Sequence, residues 1–406
     1  MRTSQHAKGD WKKIDDFLRP ALKKTLNLPP EASNNYLYGL SGKGALGIPL
    51  AAEDSDIAAV DSAFKLLCAR DPFVRASAWD DLTSFVRARI GFAPSPELVA
   101  QFLSASDEAP FAASCNSISS TWSAARSASR RLKIVWTIDA GGSPSISCGP
   151  NTIFPSQKHT IFRAFRTLRR ATRISDLSLL PNQGKAMECV AVSRSSSHFF
   201  REGSFTRFAD WRFVHRARLN LVPLNACKPW DRSRRGCRRC NFSEETLPHV
   251  LNHCMRYSSI FQRRHNAVVE RLKKAASGRW DVLFCNQVFP GTSLRPDLVL
   301  RKGSSALVID VTIPFENRLA AFSSAREEKI SKYRPVAELL RKDYTDVQIH
   351  PIIIGSLGSW DDKNDRVLRR LCSNKYGNLL KKLAVSETIK FSRDVYVEHL
   401  TGVKQS

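Results

Sequence analysis

Leu294-Arg295-Pro296-Asp297-Leu298-Val299-Leu300, a polar turn containing Gly303, then Ala306-Leu307-Val308-Ile309-Asp310-Val311-Thr312-Ile313 is the stretch whose reading decides the fold of the C-terminal part. Two short apolar runs around a Gly-containing turn read as a hairpin, the second run being a buried strand. A lone carboxylate inside such a strand is costly unless it is paired or metal-bound, so Asp310 asks for a partner. Asp297 stands beside it on the other arm. Two carboxylates converging at a strand edge suit Mg²⁺, a hard cation that keeps room for water and a phosphate oxygen. Such an ion polarises a phosphodiester and acidifies a bound water. A cation is then wanted against the extra negative charge. Lys329 is the candidate, in a helix expected from Asn317 or Arg318, with Tyr333 one turn later and Lys332 as a rival. The strand position two after Asp310, where many metal-dependent nucleases carry the lysine, is Thr312 here. Glu316, Glu327 and Glu328 are further candidate metal or base residues, although a solvated helix face also explains the latter two. The bland alternative makes Asp297 a turn cap and Asp310 the partner of a structural arginine.

Working outward, Trp280 to Val288 is apolar enough for a strand or short helix. Val347 to Gly355 adds a core strand, giving a mixed sheet covered by helices, with His350 packed. Upstream lies Cys237-x2-Cys240-x8-His249-x4-Cys254. Two thiolates two residues apart grip one side of a tetrahedral zinc ion, and Pro248 suits the first turn of a helix that supplies the other side. His253 competes with Cys254 as fourth ligand. Four protein ligands close the site, so this zinc is structural. Arg232, Arg234, Arg235, Arg238 and Arg239 surround it, which reads equally as a nucleic-acid contact or a nuclear-import signal.

Further upstream, His159 to Ile174 reads as a basic helix with Ile161, Phe162, Phe165 and Leu168 inward. Asp210 to Asn220 reads as another, whose Arg212, Arg216 and Arg218, with Trp211, combine phosphate contacts and stacking. His215 has no metal mate nearby and is read as packed. Residues 10–90 carry three apolar helical stripes. Gly42 to Gly47 is no phosphate loop, since no strand precedes it. Residues 94–155, rich in Ser, Ala, Pro and Gly, suit a linker. Lys and Arg outnumber Asp and Glu by 63 to 38, a formal charge of +25 that attracts polyanions. No apolar run approaches the roughly 18 residues a bilayer needs, and the N-terminus lacks a signal-peptide core, so an intracellular protein without a membrane partner is expected.

The order of these features resembles the C-terminal region of site-specific non-LTR retrotransposon proteins of the restriction-like endonuclease lineage, the kind that insert into ribosomal RNA genes. The residues that carry it are Ala45-Leu-Gly47-Ile-Pro49, Trp211 to Asn220, the Cys-Cys-His-Cys knuckle with Arg264-His265 behind it, and Arg295-Pro-Asp297, Asp310-Val-Thr312, Lys329-x2-Lys332-Tyr333. The resemblance implies a multidomain α+β protein. Its parts would be a helical thumb-like bundle over 1–92, a linker over 93–157, a basic helical segment over 158–235, a zinc knuckle over 236–266, a restriction-endonuclease-like α/β domain over 280–375, and a tail over 376–406. It further implies Asp297, Asp310 and Lys329 as nuclease residues, target DNA and element RNA as partners, nuclear residence, and nicking that primes reverse transcription. No aromatic-x-Asp-Asp polymerase hairpin is found. Trp79-Asp80-Asp81 lies in a helical stripe and Trp360-Asp361-Asp362 looks like a helix start, so polymerisation is expected only from a palm-bearing full-length copy. A catalytically inert, zinc-containing nucleic-acid binder, or a domesticated derivative, is the competing reading.

Overall fold

The computed structural model describes residues 8–106, 111, 120–139, 141–227 and 235–405. It is a multidomain α+β protein of two compact units. One comprises residues up to Leu22 with Ile48–Thr172, the other Lys23–Gly47 with Arg173 onward.

In the first unit the helices Ala51–Leu67, Pro72–Ile90, Pro96–Leu103 and Thr121–Leu132 accompany a small antiparallel sheet, β1 (Val135–Ile138), β2 (Pro144–Cys148) and β3 (Asn151–Ile153). Ile57, Phe64, Leu82, Phe102, Trp122, Trp136 and Ile146 form one core. Residues 93–157, expected as a linker, therefore contribute helices, strands and core. The strands are three to five residues long, too short for alternation to stand out. The serines serve as caps: Ser95 accepts from Leu98 N–H, and Ser120 with Ser123 closes a capping box. Trp122 donates to Asp81 (2.7 Å) and Trp136 to Ser129 (2.8 Å), so Trp79-Asp80-Asp81 is indeed helical and structural. The basic helix forms as Ile161–Leu179, but Arg166 is held by buried Asp54 and Arg169 by Glu53 (2.8 Å).

The second unit is built on a four-stranded sheet in the order β4 (Asp281–Cys285), β5 (Leu298–Lys302), β6 (Ser305–Thr312), β7 (Asp346–Ile353). Its first three strands are antiparallel; β7 runs parallel to β6 after a crossover through the helices Arg318–Lys332 and Arg334–Leu340. Both faces are covered, which is why the hairpin arms read as continuous apolar runs. Leu298, Leu300, Leu307 and Ile309 join a core with Val268 and Leu272 of helix Ser258–Ala276 and with Val385 and Ile389 of helix Asn374–Thr401. Val299 and Val308 pack with Tyr333, Val336 and Leu340 on the opposite face.

Three boundaries differ from those expected. Residues 376–406 are no tail, because most of them lie in a 28-residue helix whose Leu380, Ala384, Val385, Ile389 and Val395 are core. Buried Ser386, Thr388, Ser392 and Asp394 interrupt its apolar stripe and hide it from a periodicity reading. The knuckle is not a separate domain, since Cys237, Leu247, Val250, Leu251 and Cys254 belong to the same core as the sheet. Lys23–Gly47, expected with the N-terminal bundle, is part of this unit. Gly44 (φ 92°) lets that segment close against the helix Lys185–Val192, since an added Cβ would sit 2.3 Å from Val190. Among the described residues no helix is long and apolar enough to cross a membrane.

Candidate functional site

The hairpin brings Asp297 to the mouth of β5 and Asp310 to the end of β6, exposed by only 6% and 3%. Strand alternation places both on the face that carries Val299 and Val308. Val311 N–H donates to Asp297 Oδ2 at 2.6 Å, and His265 Nε2, from helix Ser258–Ala276, lies 3.1 Å from the same oxygen. Burial alone would lower the His265 pKa; the hydrogen bond and charge of Asp297 outweigh it and raise it. Across the site Lys329 Nζ stands 2.8 Å from Asp310 Oδ2. Burial and the charge of Asp297 push the Asp310 carboxyl above its usual range, against the pull of Lys329.

Lys332 is exposed, its ammonium 5.2 Å from the Tyr333 ring centroid, so Lys329 prevails over its rival. The buried Tyr333 hydroxyl donates to the Arg295 carbonyl at 3.0 Å, and burial followed by the Asp310 charge drives its pKa up, which keeps it a donor. Glu316, offered as an extra ligand or base, is elsewhere. It is fully buried and accepts from Leu357 N–H (2.7 Å) and Ser359 N–H (3.3 Å). Gly355 is glycine because an added Cβ would meet the Glu316 carboxyl at 2.1–2.6 Å. Glu327 and Glu328 are solvent-exposed. His350 is half-buried, its Nε2–H donating to Gln348 Oε1 (3.1 Å). His265 received no role from the sequence alone; its position directly after a core arginine on a helix was the only local signal.

A hard-oxygen cation fits this pair. Burial and the neighbouring Asp297 charge both disfavour an ionised Asp310, and a cation held between the two carboxylates would offset that cost.

In the knuckle the ligand atoms of Cys237, Cys240, His249 and Cys254 all lie within 4.8 Å of one another, with Cys240 Sγ 3.2 Å from His249 Nε2. The cluster could hold a metal. Three soft sulfurs and one imidazole at this spread suit zinc, whose tetrahedral shell has edges of roughly 3.5–3.8 Å. Cys254, in extended backbone after the π-helical turn His249–His253, is the fourth member; His253 is exposed and outside it. His249 is stacked on Phe242 (ring centroids 4.6 Å apart). Beneath the cluster, fully buried Glu245 accepts from Arg238 Nη2 (2.7 Å) and pairs with His399 Nε2 (2.8 Å). Burial would raise the Glu245 carboxyl, but His399 and Arg238 hold it well below the usual range.

This geometry corrects several of the expected nucleic-acid contacts. Arg218 is buried, donating to Ser197 Oγ (2.9 Å), Ser196 O (2.7 Å) and Leu357 O (2.9 Å), with burial lowering its pKa to about 10. Arg238 is committed to Glu245, Arg235 to Glu244 (2.8 Å), and Arg239 donates to the His399 carbonyl (2.8 Å). Arg216 is half-buried and donates to Leu221 O (3.1 Å). Arg212 remains exposed, near a stack in which Phe208, Trp211 and His215 follow one another at centroid spacings of 5.5 and 4.4 Å. Arg232 and Arg234 lie outside the described residues.

Fold and site together define a multidomain α+β protein that carries a paired-carboxylate sheet site and a Cys/His cluster able to hold a metal. Homologues of this chain are Pol polyproteins of R2 retrotransposable elements. The chain is 28% identical over 199 residues to the Retrovirus-related Pol polyprotein from type-1 retrotransposable element R2 of Popillia japonica, across 47% of this chain and 41% of that protein. It is 27% identical over 172 residues to the Retrovirus-related Pol polyprotein from type-2 retrotransposable element R2DM of Drosophila melanogaster, across 40% of this chain and 16% of that protein. The match thus spans less than half of either relative. No family model matches the chain.

Proposed function

We propose that this chain is the nucleic-acid-binding and endonuclease portion of an R2-type retrotransposon protein, which nicks target DNA in the nucleus by Mg²⁺-dependent phosphodiester hydrolysis to prime copying of element RNA. The observation that carries this reading is the buried Asp310 carboxylate facing Lys329 across from an Asp297 that Val311 N–H and His265 fix in place. Asp297 and Asp310 would hold Mg²⁺, which when bound polarises the scissile phosphate and acidifies a water. Lys329 then turns its ammonium toward the charge that builds on the phosphate. Tyr333 anchors the Arg295 carbonyl and so the approach to Asp297. Cys237, Cys240, His249 and Cys254 would hold a structural zinc, and exposed Arg212 with the adjoining aromatic stack supplies nucleic-acid contact. Polymerisation is assigned to a palm-bearing copy of the element.

Supercoiled plasmid incubated with the purified chain and Mg²⁺ at low salt tests it. Open-circle product is expected from the parent and at least 100-fold less from Asp297→Ala and Asp310→Ala, both still binding DNA. Equal nicking by all three, or binding without nicking, removes the enzyme and leaves an inert zinc-containing binder.

A further inference from the structure

The sheet leaves β7 as an open edge, and a cleft of about 600 Å³ runs along it. Arg326 stands on one side, Lys363, Arg366 and Arg369 on the other, and His350 lies in the floor. Asp362 is the one carboxylate lining it among the described residues. Arg326 is committed, donating to Pro351 O (2.8 Å) and pairing with Asp361 (2.7 Å), but its Nε is buried without a partner. Lys363, Arg366 and Arg369 are exposed and form no ion pair among the described residues. The positive field is felt inside the cleft: burial, then the charges of Arg370, Arg366 and Arg326, keep His350 neutral with a pKa of about 4.

Unpaired cations held close together repel one another, and a cleft lined by them attracts counter-charge from outside. Lys363, Arg366 and Arg369 recur every third residue, a row roughly 9 Å long at helical rise. A nucleic-acid strand presents one charge per roughly 3.4 Å of its axis, so such a row faces two or three consecutive phosphates. An apolar or neutral occupant would leave these cations unanswered. The cleft also adjoins the carboxylate site: Arg326 precedes Lys329 by one turn on the same helix, and Asp310 pairs in register with Pro351 of the floor.

The geometry points to a second nucleic-acid site, in which Lys363, Arg366 and Arg369 grip backbone phosphates at the open edge of the sheet while the strand to be cut lies over β6. The cleft's binding role stands on its own charge and shape; only the identity of the bound strand as the one being cut rests on the nuclease reading.

The test compares three versions of this chain by fluorescence anisotropy with a labelled 30-base-pair DNA duplex and an RNA of equal length, over a salt series. They are the parent, Lys363→Ala/Arg366→Ala/Arg369→Ala, and a charge-matched control, Lys302→Ala/Lys342→Ala/Lys375→Ala, built on exposed lysines elsewhere. The cleft triple is expected to weaken binding on the order of 10- to 100-fold at moderate salt and to reduce the slope of log affinity against log salt by about two to three. The control should change the slope by less than about one. Loss on DNA alone supports the site and assigns the cleft to the target; equal loss on RNA supports it as a reader of either backbone. Equal behaviour of the two triples, or an unchanged slope in the cleft triple with an unchanged melting temperature, overturns the proposal. Failure of the parent to nick plasmid would sink the nuclease reading while leaving this comparison intact.

Discussion

Asp310 occupies a place where a negative charge is disfavoured from two sides, burial and Asp297, against the pull of Lys329. A divalent cation relieves both, so Mg²⁺ should raise the melting temperature of the parent and not of Asp310→Asn. Equal shifts in both proteins, read by scanning fluorimetry, would refute a metal at this pair. His215 makes a second residue-level case. Its ring is fully buried between Trp211 and Tyr36, and burial followed by Arg216 lowers its pKa from 6.5 to about 4. Between those values the unfolded chain binds a proton that the folded ring refuses, so stability must fall as pH drops from about 6.5 to about 4. The full effect is on the order of 3 kcal/mol. His215→Phe keeps the stack and should flatten the pH dependence of the melting temperature over that window; an unchanged profile refutes it. That His215 is packed was legible from the sequence, because no ligand residue stood near it. That Arg218 is buried was not, since its spacing on the helix suits either a phosphate or the backbone carbonyls it caps.

Elements differ in how openly the sequence declares them. The β5–β6 hairpin was legible because two-sided burial writes an unbroken apolar run around a Gly turn, and Asp310 stood out against that run. Asp297, Asp310 and Lys329 had been singled out, and the structure brings all three together; Cys254 over His253 needed the backbone path after the turn. The strands β1 to β3 were missed because they are so short, and the helix Asn374–Thr401 because polar side chains that are buried and satisfied look, in sequence, like solvent-facing ones. Ser392 illustrates it, accepting from buried Arg264 (2.9 Å) and donating to the Ser356 carbonyl (2.6 Å). If that helix is core, Ile389→Ala should cost about 2–5 kcal/mol in denaturant unfolding. A loss under about 1 kcal/mol would return residues 376–406 to the status of a tail.

At the scale of the whole second unit, the knuckle and the sheet share one hydrophobic core through Cys237 and Cys254. Structural zinc in small modules contributes on the order of 10 kcal/mol. Its removal by a chelator should therefore speed hydrogen exchange in β5 and β6 as well as in the knuckle. Faster exchange confined to residues 235–257 would show that the cluster stabilises only its own loop. The +25 charge is likewise a whole-molecule property, but the particular arginines Arg166, Arg131, Arg238 and Arg318 are paired internally with Asp54, Asp56, Glu245 and Glu188. This is why counting basic residues overstated the contact surface.

The second unit takes its pieces from both ends of the chain, Lys23–Gly47 early and the helix Asn374–Thr401 late. On a ribosome adding roughly 5–20 residues per second, the early piece emerges roughly 20–70 s before the helix that completes its core. Until it follows, the helix Ser258–Ala276, which lies against β5 and β6, lacks the C-terminal helix and its core residues Val385 and Ile389. The core of this unit thus closes late, and any nascent chain released before the helix Asn374–Thr401 has emerged will carry an adhesive helix face for the quality-control machinery to meet.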